Sequence, residues 1–281
     1  MIVFLNGQFV PEEQAVVSVF DRGFLYGDGL FETMRVYRGR PFLWEEHMRR
    51  LKHGAELLKI RIPFSLDELR RQTDRLVEQN KMPESLLRLS LSRGVGPRGY
   101  SPQGADNPSL VMALHAAPVI DPANPPRWRV ITSSVRLPAG ELLAQVKTCN
   151  KLPQIIARTE ADGAGAQEAL LLNTDGEIAE ASSSNLFWIE RGVVCTPPLS
   201  SGALPGVTRD LVLDLCRKLG LDNLEAGIAP GGLKQAEGAF LSLTSWEIVE
   251  ITRVDDEVLG QSPLVGKIRE AYRKATLYPA I

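Results

Sequence analysis

Pro118-Val119-Ile120-Asp121-Pro122-Ala123-Asn124-Pro125-Pro126 is the stretch that divides this chain. Its four prolines fix φ and remove backbone donors, so the segment reads as a stiff inter-domain linker. On either side of it the pattern of strands and helices starts afresh. The expected organisation is a small N-terminal α/β domain over 1–117, a linker over 118–127 and a larger C-terminal α/β domain over 128–281.

Before the linker, Ile2–Leu5 and Gln8–Val10 flank Asn6-Gly7, a two-residue hairpin signal. Ala15–Phe20 is predicted as a further strand, followed by a glycine-rich turn over Asp21–Gly29 and a strand from Phe31 to Tyr37. Trp44, Met48, Leu51, Ala55 and Leu58 recur at three- and four-residue steps, which predicts a helix over 44–58. Ser65 with Glu68 three residues on is a capping box and opens a second helix to Glu78. Strands over 86–92 and 109–114 complete the first domain. Beyond the linker, strands are expected over 128–133, 168–172, 185–190, 193–196, 239–243 and 247–254, with helices over 151–162, 209–219 and 264–275.

The bulk composition narrows the function classes. Apolar residues make up 44% and charged residues 23%, with a net charge of −2, so there is no electrostatic footprint for nucleic acid. No apolar run is long enough for a bilayer span, and the start has no basic n-region ahead of an apolar run. Three widely spaced cysteines argue against a disulfide framework and point to the cytoplasm. The histidines, His47, His53 and His115, have no metal-ligand spacing, so no metal is expected.

Four places carry candidate chemistry. Lys147, in Val146-Lys147-Thr148-Cys149-Asn150, can attack a carbonyl if partly desolvated; read alone it is far more readily a surface lysine. Glu180 precedes Ala181-Ser182-Ser183-Ser184-Asn185-Leu186-Phe187 and reads either as part of a polar turn or as a buried acceptor for a ring N–H, the serine hydroxyls adding hydrogen bonds. Leu204-Pro205-Gly206-Val207-Thr208-Arg209 precedes a helix, where a glycine and unpaired N–H groups cradle phosphate; a Pro-Gly turn with Thr208 as N-cap is the alternative. Arg88, Ser90 and Ser92 share one face of a strand, with Arg93 and Arg98 following, which suits a carboxylate or a solvated basic edge. A lysine for a Schiff base and a carboxylate for a pyridine nitrogen are the two protein groups pyridoxal phosphate chemistry needs most.

These stretches, with Tyr26-Gly27-Asp28-Gly29-Leu30-Phe31-Glu32-Thr33 and His47-Met48-Arg49-Arg50-Leu51, resemble the class-IV aminotransferases, the fold-type IV pyridoxal phosphate enzymes. The family includes branched-chain aminotransferases, D-amino-acid aminotransferases and 4-amino-4-deoxychorismate lyases. The resemblance spans nearly the whole chain. It implies two α/β domains with a cofactor cleft at their junction, a homodimer, and pyridoxal 5'-phosphate held on Lys147. Glu180 would pair with the pyridine nitrogen. Arg50 would bind the phosphate with Gly206, Val207 and Thr208, and Thr244 or Ser245 would add a further contact. Ser184 and Asn185 fall in the same cofactor-binding set. Phe31, Arg88, Arg98 and Tyr100 would meet a small amino substrate carrying a carboxylate, and Thr33 would assist catalysis.

Branched-chain enzymes usually carry Gly at the position of Thr33, and D-amino-acid enzymes tend to carry Tyr and His at those of Phe31 and Tyr100. Thr33, Arg88 and Arg98 together look most like the aminodeoxychorismate lyases. Thr148 and Asn150-Lys151-Leu152 depart from many bacterial lyases, which carry His after the lysine and then Asn-Arg-Leu. A transaminase for D-amino acids, branched-chain amino acids or (R)-amines is the alternative.

Overall fold

The computed structural model describes residues 1–277 and divides into two compact units. Met1–Ala117 forms the first with Val146–Asn150; Pro118–Gln145 and Lys151 onward form the second. The segment that carries Lys147 is therefore compact with the N-terminal unit although it lies far beyond it in sequence.

The first unit contains β1 (Ile2–Leu5), β2 (Gln8–Pro11), α1 (Arg22–Tyr26), β3 (Gly29–Tyr37), β4 (Arg40–Pro41), α2 (Trp44–Leu58), α3 (Leu66–Asn80), β5 (Ser85–Ser92) and β6 (Ser109–Ala116). The strands form a six-stranded antiparallel sheet in the order β2-β1-β6-β5-β3-β4. The Asn6-Gly7 hairpin forms, with Asn6 at φ 49° and Gly7 at φ 96°. Burial alternates along β5 and β6, so Leu87, Leu89, Leu91, Leu110, Met112 and Leu114 share one face. That face packs with Met48 and Leu51 of α2 and Leu69 and Leu76 of α3 in a single core. Ser65 caps α3, its hydroxyl accepting the Glu68 N–H at 3.1 Å.

Ala15–Phe20 is not a strand. A short 3₁₀ turn over Glu12–Gln14 precedes it, no ladder forms, and Val16, Val17, Val19 and Phe20 are exposed. An apolar run with β-branched residues satisfies strand propensity, but here it pairs with no strand of the sheet, whose edges are β2 and β4.

The second unit contains β7 (Arg127–Leu137), α4 (Leu152–Gly163), β8 (Glu168–Asn173), β9 (Ile178–Ala181), β10 (Asn185–Glu190), β11 (Val193–Thr196), α5 (Val207–Lys218), β12 (Asn223–Glu225), α6 (Pro230–Leu233), β13 (Gly238–Leu243), β14 (Glu247–Val254), β15 (Glu257–Val258) and α7 (Pro263–Leu277). Eight strands run β12-β11-β10-β13-β14-β7-β8-β9, with β15 paired to β14. The pairs β7/β8, β7/β14 and β11/β12 are parallel. β8 and β13 are buried at every residue, the mark of a sheet covered on both faces. The main core joins Leu170, Leu186, Trp188, Leu241, Val249 and Ile251. No helix among the described residues is long and apolar enough to cross a membrane.

Candidate active site

Strand alternation in the first unit sorts its polar residues onto two faces. Phe31 and Thr33 of β3 pair with Ser90 and Arg88 of β5, so the four side chains lie on the face opposite α2 and α3. Residues 147–149 add a short antiparallel strip to the start of β3. Phe31 N–H donates to the Lys147 carbonyl at 3.0 Å, Cys149 N–H to the Gly29 carbonyl at 2.9 Å, and Leu30 bridges Thr148. This backbone pairing fixes where Lys147 emerges. Its half-buried side chain brings Nζ to 4.6 Å from the centroid of the Phe31 ring. The Arg88 guanidinium carbon lies 3.4 Å from the same centroid, and Arg88 Nε donates to the Ser90 hydroxyl at 3.3 Å. Burial lowers the pKa of Arg88, against the opposing pull of Cys149 and Glu32. One aromatic ring thus receives two cations, each attracted by its π face.

Ser92 does not join this group. Its hydroxyl donates to Asp21, leaving Ser90 as the hydroxyl bonded to Arg88. Arg93 is also occupied elsewhere, on Asp28 and the Leu58 and Lys59 carbonyls. Arg98 and Tyr100 are exposed in the segment between β5 and β6, with Tyr100 packed edge-on against Tyr26.

The helix-facing side of β3 holds a cluster the sequence reading passed over. Glu32, fully buried, accepts from Arg50 Nε at 2.8 Å and Arg50 Nη2 at 2.6 Å, and from His47 Nδ1 at 2.7 Å. Burial alone would raise the Glu32 pKa, but the Arg50 charge and the hydrogen bonds from Arg50 and His47 outweigh it and bring it down to about 2. His47 is pushed below its ordinary value, first by burial and then by the charges of Arg50 and Lys147, against the pull of Glu32. A neutral His47 therefore donates its Nδ1 proton to an ionised Glu32. The available signal was a charge at an otherwise apolar strand position, between Leu30 and Met34, facing a helix with His47 and Arg50 three residues apart.

In the second unit Glu180 lies within β9, paired with Leu171 of β8, and not in a turn. Its Oε2 accepts the Leu204 N–H at 2.9 Å, while Asn185 Nδ2 donates to the Leu204 carbonyl at 2.9 Å. The Leu204 backbone is thus held on both sides, and this sets the approach to α5. Gly206 is the N-cap of α5, so Thr208 is a helical residue and not the cap. A Cβ on Gly206 would stand 1.9 Å from Asn185 Oδ1, so a larger residue would force the Asn185 side chain to shift. No side chain caps the first turn of α5, which leaves its N–H groups available to an anion.

The serines after Glu180 divide their work. Ser182 and Ser183 direct their hydroxyls to the buried Glu168, so they do not supply hydrogen bonds to a ring. The Ser184 hydroxyl and that of Ser242, opposite Asn185 in the sheet, are buried without a partner. Thr244 and Ser245 are half-buried in the turn joining β13 to β14. Orphaned hydroxyls, an uncapped helix start, a carboxylate and a half-buried lysine are the group types that pyridoxal phosphate requires.

Comparison with known proteins gives the same answer. The amino-transferase class IV family matches residues 29–254. A Methanocaldococcus jannaschii protein provisionally named a branched-chain-amino-acid aminotransferase is 36% identical over 276 residues, covering 98% of this chain and 94% of its own. The aminodeoxychorismate lyase of Bacillus subtilis is 30% identical over 260 residues, covering 91% and 87%. A D-alanine aminotransferase from Bacillus licheniformis also matches. Among solved structures, the branched-chain aminotransferase of Thermoproteus uzoniensis superposes with a TM-score of 0.92 at 31% identity, covering 100% of this chain and 96% of that one. The chain belongs to the class IV aminotransferases, has their α/β fold, and is a pyridoxal phosphate-dependent enzyme.

Proposed function

We propose that this enzyme is a 4-amino-4-deoxychorismate lyase, releasing pyruvate and leaving 4-aminobenzoate. The observation that carries the reading is the face shared by Phe31, Thr33 and Arg88, with the Lys147 amine 4.6 Å from the Phe31 ring. A guanidinium and a hydroxyl facing one another across two strands suit a substrate with a carboxylate and an ether leaving group. The relative from Bacillus subtilis supports the same assignment.

When bound, pyridoxal phosphate supplies an electron sink for the carbon that bears the substrate amine. The residues of this chain do the rest. Lys147 would hold the cofactor, and its free amine would take the proton from the carbon that bears the substrate amine. Glu180 meets the pyridine nitrogen. Arg50, set by Glu32, and the amides of Val207 and Thr208 behind Gly206 take the phosphate, with Thr244 or Ser245 as a further contact and Ser184 and Asn185 completing the cofactor set. Arg88 and Arg98 hold carboxylates, Phe31 and Tyr100 bound the substrate, and Thr33 assists the departing enolpyruvyl group. Breaking the ether bond yields pyruvate, and aromatisation of the ring drives the reaction.

The enzyme works as a homodimer, a reading supported by the exposed apolar residues Val16, Val17, Val19, Phe20, Phe24 and Leu25. The wide spacing of its cysteines supports a cytoplasmic setting. Incubation with 4-amino-4-deoxychorismate and a lactate dehydrogenase couple should show pyruvate release, and its absence removes the lyase assignment. A transaminase is the second reading, favoured by the branched-chain and D-alanine relatives. Bleaching of the cofactor band by D-alanine, L-leucine or an (R)-amine, reversed by a keto acid, would establish it.

A further inference from the structure

The residues between β5 and β6, 93–108, form the longest stretch of the first unit without helix or strand. Long segments of that kind are commonly functional or loose. This one is tied at its tip. Arg22, at 3% exposure, donates from Nη1 to the Gly99 carbonyl at 2.8 Å and from Nη2 to the Tyr100 carbonyl at 3.2 Å. Its Nε donates to Asp28 Oδ2 at 2.9 Å, and its backbone N–H to the Gly94 carbonyl at 2.9 Å. Asp28 in turn accepts from Arg93 Nε at 2.7 Å and Nη2 at 3.0 Å, at the foot of the same segment. The Gly99 N–H donates to the Tyr26 hydroxyl at 3.2 Å. The two limbs are pressed together: a Cβ on Gly94 would stand 1.8 Å from the Asn107 carbonyl oxygen. Gly99, next to Arg98, is therefore held at both its N–H and its carbonyl, while the Arg98 side chain remains exposed.

An exposed cation on a backbone whose entropy is already lost is what anion capture at a distance needs. We infer that Arg22 is a specificity-determining positioning residue: by holding the Gly99 and Tyr100 carbonyls it fixes the 93–108 segment and so sets Arg98 for a substrate carboxylate. This rests on the reading of Arg98 as a carboxylate anchor. Arg22 acts through Arg98 and the loop, without touching substrate.

Two measurements on the holoenzyme test it. The first is the rate of trypsin cleavage after Arg98, located by mass spectrometry, which needs no substrate. The second is the split between KM and kcat for the carboxylated amine the enzyme turns over. Arg22→Ala should speed cleavage and raise KM, each by roughly tenfold or more, with kcat held within about twofold, as loss of charge-assisted hydrogen bonds predicts. Arg22→Lys should recover part of both. In an Arg98→Ala background, Arg22→Ala should add nothing to KM. Should Arg22→Ala not fold, Tyr26→Phe removes the acceptor of the Gly99 N–H and should move both measurements in the same direction. Unchanged cleavage and KM in these variants would overturn the proposal, as would an Arg22→Ala effect on KM that persists undiminished without Arg98. If the wild type turns over no carboxylated amine, the functional reading fails, and the trypsin rate still decides whether Arg22 holds the loop.

Discussion

In the six-stranded sheet, Phe31, Thr33 and Arg88 lie on the face opposite α2 and α3, and the other face is filled by the core. In the nine-stranded sheet β8, β9 and β13 are buried at every position, and the corresponding groups come from a strand end, a turn and the start of a helix. The first arrangement presents side chains from a scaffold that would stand without them. The second presents backbone: Glu180 and Asn185 grip Leu204, and a Cβ at Gly206 would press on the Asn185 side chain that does the gripping. Exchanging a residue on the first face should change chemistry and leave the fold intact. Exchanging one in the second group should change the backbone and lose cofactor and stability together.

The largest effect should break this contrast or establish it. Lys147→Ala should reduce turnover by roughly 10²–10⁴-fold or more, since it removes the proton carrier, while circular dichroism and the urea midpoint stay near wild type. Unfolding instead would show that the Lys147 side chain supports its scaffold. Glu32→Gln should be next, and it probes the opposite face of the same strand. It leaves Arg50 with a neutral partner in the core, at a cost of about 3–5 kcal/mol in the urea unfolding free energy. The pH dependence follows from the directions of the shifts. His47 titrates below its ordinary 6.5 in the folded state, so the unfolded chain takes up its proton first and stability falls as pH drops below about 6.5. Glu32 is lowered from 4.5 to about 2, so its contribution is complete above 4.5 and is lost as pH falls towards 2. Glu32→Gln should remove the lower of these two declines. Gly206→Ala comes third: relief of a 1.9 Å contact should cost about 1–3 kcal/mol and weaken cofactor retention, measured by dialysis and absorbance. Asn185→Ala in the same chain should recover part of the stability by clearing space.

The same contrast explains what the sequence could disclose. Helix α2 was legible to the residue, Trp44–Leu58, because its apolar positions face one core and follow one period. The Asn6-Gly7 turn and the Ser65 cap were legible because local chemistry decides them. Ala15–Phe20 misled because propensity cannot say whether a partner strand exists. β9 was missed because a four-residue strand bearing Glu180 has no readable alternation, and the Leu204 N–H that its carboxylate accepts lies 24 positions on. The ties made by Arg22 were invisible for a related reason: its acceptors are the carbonyls of Gly99 and Tyr100, and any residue type has a carbonyl. Lys147 and Gly206 stand out by type and neighbours and Glu32 by its charge in an apolar strand, while Glu168 and Arg22, which bind other protein groups, do not.

The smallest predicted effect separates stability from chemistry within the first unit. Ser65 accepts the Glu68 N–H at 3.1 Å at the start of α3, whose Leu69 and Leu76 enter the core that backs β3 and β5. Ser65→Ala leaves that N–H to water and should cost about 1 kcal/mol. The reactive face should not register the loss, because it is defined by strand register and by the strip at 147–149, neither of which depends on how α3 begins. The urea midpoint should therefore fall while KM, kcat and the cofactor spectrum stay within error of wild type. If turnover instead falls in proportion to stability, the face is coupled to the packing behind it. The division between a chemistry-bearing surface in the first unit and a backbone-bearing one in the second would then have to be redrawn.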